Sequence, residues 1–394
     1  MLKTTARVLA AIAALGAGAL LTGCSAASAT TWQAAGSTPG KQGPSISAPA
    51  DGATDVPAAA EIVLAGAGAG ADASAKVALA DAGGTPVPGA LRPDSSSWVP
   101  AQPLKYGTTY TATVGGTKVS FTTMRKPQNT VRVSTPLQDD TVYGVAMPLV
   151  VRFGTDIPKD QRAAVERRLF VISEPVQPGA WNWFSGSEVH YRTQDYWQEN
   201  TKFTLRVATA GLPMGGDPTT GTGAYGADDL TITASIGNKV EMLTDNASKT
   251  MTVKVQDQVV KTIPVSLGRP SKPSSSGRMV VMTKNQSELF VGTDPGDSYR
   301  ETVYWTQRLT IDGQYIHAAP WSVGSQGRSN VSHGCTNMST ENAKWLWELT
   351  HVGDPVIVKG TGSPLDWGNG WTDWDRSWDR YLQGSALAHA ASGQ

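Results

Sequence analysis

Two histidines and a cysteine lie close together in the last third of the chain, in the stretch 317–337. This stretch begins His-Ala-Ala-Pro-Trp and ends Ser-His-Gly-Cys-Thr-Asn. A cysteine attacks only as its thiolate, and a free thiol with a pKa of about 8.5 needs a neighbouring base at neutral pH. His317 can serve as that base for Cys335, and the N–H groups of Gly334 and Cys335 can face a developing oxyanion. The pattern predicts acyl transfer through a thioester.

Three other roles for Cys335 are weaker. A structural cysteine behaves as a small hydrophobe, whereas the neighbours of Cys335 suit a polar loop. A zinc site built from His317, His333 and Cys335 would need a fourth ligand, and no familiar Cys/His spacing is present. We therefore expect no metal and no cofactor. Redox sensing would need a resolving cysteine, and the only other cysteine is Cys24.

Cys24 follows a segment that reads as a secretory signal. Lys3 and Arg7 precede a small apolar run, 8–21, that is too short to span a bilayer. The residues that end at Cys24, Leu-Thr-Gly-Cys, resemble the bacterial lipobox, in which the signal is cleaved before the cysteine and the thiol is acylated. An ordinary signal peptide with an incidental cysteine is the alternative. Lipid on Cys24 would anchor the chain to the extracytoplasmic face of the cell membrane and leave Cys335 as the only thiol.

Two segments of the chain look like copies of one unit. Ile-Ser-Ala-Pro at 46–49 is followed by Ile-Val-Leu at 62–64, and Val-Ser-Thr-Pro at 133–136 is followed by Leu-Val-Val at 149–151, at the same spacing. Short alternating runs separated by Gly, Pro, Asp and Asn are typical of antiparallel sandwiches. The chain is therefore expected to be mainly β, with two tandem immunoglobulin-like sandwiches.

Composition and length set the remaining limits. The 394 residues include 33 basic and 33 acidic side chains, so the net charge is zero. No Lys/Arg cluster stands out, which argues against nucleic acid as a partner. The predicted division of the chain is a signal peptide at 1–23, a flexible tether at 24–44, immunoglobulin-like domains at 45–126 and 127–237, a catalytic domain at 238–361 and a Trp-rich extension at 362–394.

Local patterns predict the elements around the site. Beyond residue 237, strands are expected at 240–243, 251–255, 259–265, 278–282 and 356–358. Ser339 or Thr340 should cap a helix that ends at Gly353, with Trp345, Leu346, Leu349 and Val352 along its buried face. Residues 213–228, rich in Gly, Thr and Pro, are expected to form a loop.

Aromatic residues crowd two places. In the second repeat they are Trp181, Trp183, Phe184, Tyr191, Tyr196 and Trp197, and in the extension they are Trp367, Trp371, Trp374, Trp378 and Tyr381. Both groups are expected to form a core and an interface, with glycan or membrane contact as the alternative. His190 alternates within the first group and is expected to be structural.

The 317–337 stretch resembles the L,D-transpeptidase signature of YkuD-type domains. That signature is a histidine followed, after fourteen to seventeen residues, by Ser/Thr-His-Gly-Cys and an Asn or Arg two positions later. Fourteen residues separate His317 from Ser332 in this chain. The turn 274–277 resembles the Pro-x-Gly loop of the same domain. The resemblance implies a β-sandwich or barrel catalytic domain with one or two short helices.

The resemblance also implies a reaction and a set of roles. Cys335 would attack the third residue of a donor stem tetrapeptide of peptidoglycan, release D-alanine, and pass the acyl group to the side-chain amine of an acceptor stem, giving a 3→3 cross-link. His317 would be the general base and acid, oriented by the main-chain carbonyl of Ala318. Gly334 would contribute to the oxyanion site. Ser332 and His333 would shape the loop and contribute to the same oxyanion site, Asn337 would brace the loop, and Tyr299 and Trp321 would bind the substrate.

Other functions remain open from the residues alone. An L,D-carboxypeptidase would use the same site with water as the acceptor. A sortase would need an arginine in the strand after the cysteine, and 356–358 has none. A non-catalytic wall-binding lipoprotein would be expected to have lost His317, Gly334 or Cys335. The chain is expected to act as a monomer that reaches from the membrane into the cell wall.

Overall fold

The structure is a computed structural model that describes residues 45–65, 76–216, 223–293 and 295–388. The predicted signal peptide, the tether and Cys24 lie outside these residues. The predicted mainly β fold is confirmed, because most described elements are strands. Within the described ranges, no helix has both the length and the apolar composition needed to cross a bilayer.

The first sandwich consists of two four-stranded sheets. Its strands are β1 (Ser45–Ala48), β2 (Ala53–Val56), β3 (Ile62–Ala65), β4 (Ala78–Asp81), β5 (Gly89–Leu91), β6 (Ser97–Pro100), β7 (Thr109–Val114) and β8 (Thr117–Thr123). The sheet orders are β1-β3-β6-β5 and β2-β8-β7-β4. Alternate residues of β7, such as Tyr110 and Ala112, enter the core, as the two-residue period of a strand requires.

The second sandwich repeats this topology. Its elements are β9 (Thr130–Val131), β10 (Val133–Ser134), β11 (Val142–Tyr143), β12 (Leu149–Phe153), α1 (Lys159–Glu166), β13 (Leu169–Glu174), β14 (Gly179–Trp183), β15 (Glu188–Thr193), β16 (Lys202–Val207), β17 (Pro213–Gly215), β18 (Ala224–Gly226) and β19 (Leu230–Ile236). The sheet orders are β10-β12-β15-β14 and β11-β19-β16-β13. Pairing of β10 with β12 matches that of β1 with β3, so the repeated sequence pattern corresponds to a repeated strand pair.

The described parts of 213–228, which are 213–216 and 223–228, depart from the prediction of a loop. Their two short strands, β17 and β18, form a three-stranded sheet with β9. The side chain of Met214 is fully buried in the core of the second sandwich, to which Val131 of β9 also belongs. Burial of Met214 therefore favours the strand β17 within a composition that is otherwise typical of a loop.

The third domain contains two further sheets. Its elements are β20 (Val240–Asp245), β21 (Thr250–Val255), β22 (Gln258–Pro264), β23 (Gly277–Val280), β24 (Thr283–Gly292), β25 (Tyr299–Arg308), β26 (Tyr315–Ala318), β27 (Thr336–Met338), α2 (Thr340–Leu349) and β28 (Pro355–Lys359). The sheet orders are β22-β21-β20-β28-β23 and β24-β25-β26-β27. Their facing side chains, such as Met242, Val356 and Ile316, form one apolar core.

Helix α2 begins as predicted and ends earlier than predicted. The Ser339 side chain accepts a hydrogen bond from the N–H of Asn342, which caps the first turn. The helix ends at Leu349 rather than at Gly353, because Thr350 is extended and its hydroxyl donates to the side chain of Gln307. Val352 therefore lies outside the helix and packs against the core of the second sandwich.

The C-terminal extension packs into the same core. Trp371 and Trp374 are both buried there, and the indole N–H of Trp374 donates to the carbonyl of Ala146. A short helix, α3 (Trp378–Leu382), places the buried Tyr381 against the second sandwich. The rings of Trp371, Trp374 and Tyr381 are therefore buried, as the sequence analysis expected for a core.

Candidate active site

Parallel pairing of β26 with β27 brings the predicted base and nucleophile to one wall of a cavity. His317 pairs with Asn337, and Cys335 directly precedes β27, two residues before Asn337. The cavity has a volume of about 650 Å³. It is lined by Phe290, Tyr299, Glu301, Val303, His317, Trp321, Ser322, Ser325, Val331, Ser332, His333, Cys335 and Asn337. Seven of the predicted site residues are among them.

His317 is held by the main chain of the next residue. Its Nδ1 lies 2.9 Å from the carbonyl oxygen of Ala318, which is the contact expected at that position. Because a carbonyl oxygen only accepts, Nδ1 carries the proton and Nε2 presents a lone pair. Burial lowers the pKa of His317, against the smaller effect of the hydrogen bond to Ala318. The imidazole is therefore neutral and ready to accept a proton.

Cys335 is a buried residue of the cavity lining. Burial raises the pKa of its thiol to about 12, because a thiolate is poorly solvated there, and the backbone N–H of Tyr315 opposes this only in part. Its Sγ lies 3.7 Å from the carbonyl oxygen of Gly313. The resting pair thus consists of a thiol and a neutral imidazole.

The predicted role of the Gly334 N–H in an oxyanion site is wrong for this structure. That N–H donates to the hydroxyl of Ser332 over 3.1 Å, and the same hydroxyl donates to the carbonyl of Cys335 over 2.6 Å. Gly334 adopts a φ of +121°, which residues with a side chain rarely adopt. Glycine is therefore required here for the backbone turn, and the N–H faces the loop rather than the cavity.

Ser274 supports this turn from behind, a role that the sequence analysis did not assign to it. Its buried hydroxyl donates to the carbonyl of Gly334 over 2.6 Å and accepts from the N–H of Gly268 over 2.9 Å. The adjacent Ser275 exchanges two hydrogen bonds with the side chain of Gln314. The likeness of 274–277 to a loop of the family was the only sequence signal for these contacts.

Asn337 braces the floor of the cavity. Its side-chain amide donates to the hydroxyl of Ser322 over 3.3 Å, and its backbone exchanges hydrogen bonds with Ser266. Gln326 donates to the same Ser322 hydroxyl. These contacts hold the loop that carries Trp321.

Aromatic rings form the sides of the cavity. Phe290, which was not predicted, meets the ring of His317 edge-on at 5.4 Å, and Trp321 lies at 6.1 Å with 59% of its surface exposed. Tyr299 packs against the ring of His333 at 4.9 Å. The Nε2 atom of His333 lies 2.9 Å from the carboxylate of Asp297, another residue that the sequence analysis did not identify.

Two family profiles match the chain. A bacterial Ig domain profile matches residues 53–213, and the profile of the L,D-transpeptidase catalytic domain (YkuD) matches residues 239–358. L,D-transpeptidase 2 from Mycobacterium tuberculosis (strain CDC 1551 / Oshkosh) is 31% identical over 328 residues, which is 79% of this chain and 78% of that protein. The chain belongs to the L,D-transpeptidase family.

Other L,D-transpeptidases show a similar degree of likeness. L,D-transpeptidase 5 from Mycobacterium tuberculosis (strain ATCC 25618 / H37Rv) is 33% identical over 362 residues, covering 87% of this chain and 77% of that protein. A crystal structure of L,D-transpeptidase 3 from Mycobacterium tuberculosis, in complex with a faropenem-derived adduct, is 28% identical. It covers 58% of this chain and 97% of that chain, with a TM-score of 0.47. The predicted family, a YkuD-type transpeptidase with Ig-like domains, is confirmed.

Proposed function

We propose that this transpeptidase forms 3→3 cross-links between peptidoglycan stem peptides through a thioester on Cys335. The observation that carries the proposal is the placement of Cys335 and the proton-accepting Nε2 of His317 in one cavity. That cavity, of about 650 Å³, is large enough for part of a peptide.

In the first half of the reaction, Sγ attacks the carbonyl carbon of the third residue of the donor tetrapeptide. The thiol proton passes to Nε2 of His317, which makes a thiolate only as the new bond forms. The N–H of Cys335 is the main-chain donor that we assign to the oxyanion. When the tetrahedral species collapses, the C–N bond breaks, His317 returns its proton to the leaving amine, and D-alanine departs.

In the second half, the side-chain amine of an acceptor stem attacks the thioester carbonyl. His317 accepts a proton from the attacking nitrogen, the C–S bond breaks, and the proton returns to sulfur. A new amide bond and a free thiol result. In each half of the reaction, the imidazole of His317 first accepts a proton and then donates it. A neutral resting imidazole can therefore serve in both halves.

We further propose that lipid on Cys24 anchors the transpeptidase at the extracytoplasmic face of the membrane, where stem peptides are accessible. The lipobox-like Leu-Thr-Gly-Cys at 21–24 supports this. Labelling of cells with a fatty-acid probe, for the wild-type chain and a Cys24→Ala variant, tests it. Label that persists in the variant contradicts the anchor.

Incubation of the purified chain from residue 43 onward with a disaccharide-tetrapeptide tests the reaction, with products followed by mass spectrometry. Loss of D-alanine with formation of a dimer supports transpeptidation. Loss of D-alanine without a dimer identifies an L,D-carboxypeptidase instead. Cys335→Ala should abolish both the acyl adduct and the products, and an unchanged substrate with the wild-type chain would eliminate both activities.

A further inference from the structure

A cluster of charged side chains lies beside the active-site cavity and shares His333 with its lining. Asp297, two residues before β25, contacts three basic groups. Its Oδ2 accepts from the guanidinium of Arg269 and lies 2.9 Å from Nζ of Lys272, while its Oδ1 lies 2.9 Å from Nε2 of His333. Each of the four side chains is about 30% exposed, so the cluster is open to solvent.

This cluster is continuous with the site already described. His333 belongs to the cluster and also lines the cavity, where its ring packs on Tyr299. The backbone N–H of Arg269 donates to the carbonyl of Ser332, another lining residue. Arg269 and Lys272 are therefore fixed beside the segment that ends at Cys335.

The charges in the cluster do not cancel. Arg269 and Lys272 carry two positive charges and Asp297 carries one negative charge, so these three side chains carry a net charge of +1. Hydrogen bonds from His333, Lys272 and Arg269 lower the pKa of Asp297, and it stays ionised at neutral pH. A guanidinium beside an ammonium is an arrangement that recognises carboxylates in proteins.

We propose that Arg269 and Lys272 form a carboxylate subsite that Asp297 occupies in the free enzyme, and that a carboxylate of the donor stem peptide displaces Asp297 on binding. This inference rests on the proposed function, because that function supplies the acidic peptide. Asp297 is then an internal competitor of the substrate. A stem peptide whose carboxylate is amidated would lose this contact and would leave Asp297 in place.

Equilibrium binding of a disaccharide-tetrapeptide to the Cys335→Ala chain tests the subsite without turnover. Arg269→Gln and Lys272→Gln should each raise Kd by about five- to tenfold, because each removes one charged hydrogen bond at a partly exposed site. Asp297→Asn should lower Kd by a few-fold, since it removes the competitor. Arg300→Gln, which changes an exposed arginine on the nearby β25, serves as the control and should leave Kd unchanged.

Two modified peptides identify the carboxylate. One has its C-terminal carboxylate amidated, and the other has the side-chain carboxylate of the third residue amidated. The effect of Arg269→Gln should vanish for one peptide and persist for the other. If it persists for both, or if Asp297→Asn weakens binding as much as Arg269→Gln does, the cluster only ties the loop in place and the proposal is overturned.

Acylation of the wild-type chain separates this proposal from the proposed function. If the tetrapeptide forms an adduct on Cys335 while the variants bind the peptide as the parent does, the subsite alone is wrong. If the tetrapeptide neither binds nor forms an adduct, both proposals are wrong.

Discussion

At the scale of single residues, burial keeps both partners of the proposed reaction neutral. It raises the pKa of Cys335 to about 12 and lowers that of His317. A preformed thiolate and imidazolium pair would have to overcome both shifts in a site that solvates charge poorly. The transfer of the proton is therefore expected to accompany attack on the substrate rather than precede it.

The pH dependence of acylation follows from this neutrality. His317 accepts a proton only when it is neutral, and the protonated form accumulates below its pKa. Because the pKa of His317 is lowered from an ordinary value of about 6.5, the acid limb of the acylation rate should lie below pH 6.5. Single-turnover acylation followed by mass spectrometry from pH 4 to 8 would measure it, and a midpoint above about 6.5 would contradict the prediction.

Ser274→Ala tests the support behind Gly334. The change leaves the buried N–H of Gly268 without its acceptor and the Gly334 carbonyl without its donor. We expect a loss of about 1–3 kcal/mol in the free energy of unfolding. We also expect slower acylation, because the turn that carries Cys335 loses the hydrogen bond from Ser274. Urea unfolding measures the first effect. Ser287→Ala, at an exposed position of β24, should change neither, and equal effects of the two variants would refute the role of Ser274.

At the scale of elements, the sequence pattern predicts the helices and strands that follow from local periodicity. It fails for those whose bounds depend on residues that are distant in the sequence. Strands such as 240–245 follow from alternation, and the cap at Ser339 follows from residue type. The early end of α2 depends on Gln307, which accepts from Thr350 across 43 residues. The strands within 213–228 depend in the same way on burial of Met214 in a core built from other segments.

The same distinction applies to the site. His317, Cys335 and their neighbours form a motif in one stretch, so residue type and spacing were enough to find them. The carboxylate of Asp297 reaches Arg269 and His333 from positions 28 and 36 residues away. Such a cluster has no signature in the sequence, because only the folding of three loops brings it together.

The cap of α2 can be tested as an element. Ser339→Ala removes the acceptor for the Asn342 N–H at the start of the helix, and we expect it to cost about 1 kcal/mol in the free energy of unfolding. Ser339→Asp keeps an acceptor and should stay close to the wild type. Thermal unfolding compares them, and a Ser339→Ala variant as stable as the wild type would show that the cap contributes nothing.

At the scale of the whole molecule, the C-terminal extension completes the second sandwich. Buried His190 lies between Glu188 of its own strand and Asp373 of the extension, with ring nitrogens 2.8 and 3.0 Å from the carboxylates. The hydroxyl of Tyr381 donates to Asp373 in the same cluster. Burial alone lowers the pKa of His190, but the charges and hydrogen bonds of Asp373 and Glu188 outweigh it and raise the pKa to about 9.

Stability should therefore fall as the pH rises above neutrality. Protonation of His190 is favoured in the folded chain, so its contribution is fully present below about pH 6.5 and is lost as the pH rises towards about 9. Urea unfolding at several pH values between 6 and 10 measures this. Asp373→Asn should lower the free energy of unfolding by about 3–5 kcal/mol at neutral pH, because it removes one partner of the buried His190–Asp373 ion pair. It should also flatten the pH dependence of stability. A variant as pH-dependent as the wild type would contradict this account.

The position of Asp373 near the end of the chain also affects the order in which the protein can fold during synthesis. It lies 183 residues after His190, and Trp374 reaches Ala146 across 228 residues. Because a chain is made from its N-terminus, the second sandwich is synthesised long before Asp373, which balances the charge of protonated His190, and before the tryptophans that fill its core. The core of the first sandwich is built from its own residues alone, whereas the core of the second also includes Trp371 and Trp374 near the end of the chain. A ribosome that stops before residue 371 would release a chain with a finished Cys335 motif and an unfinished scaffold.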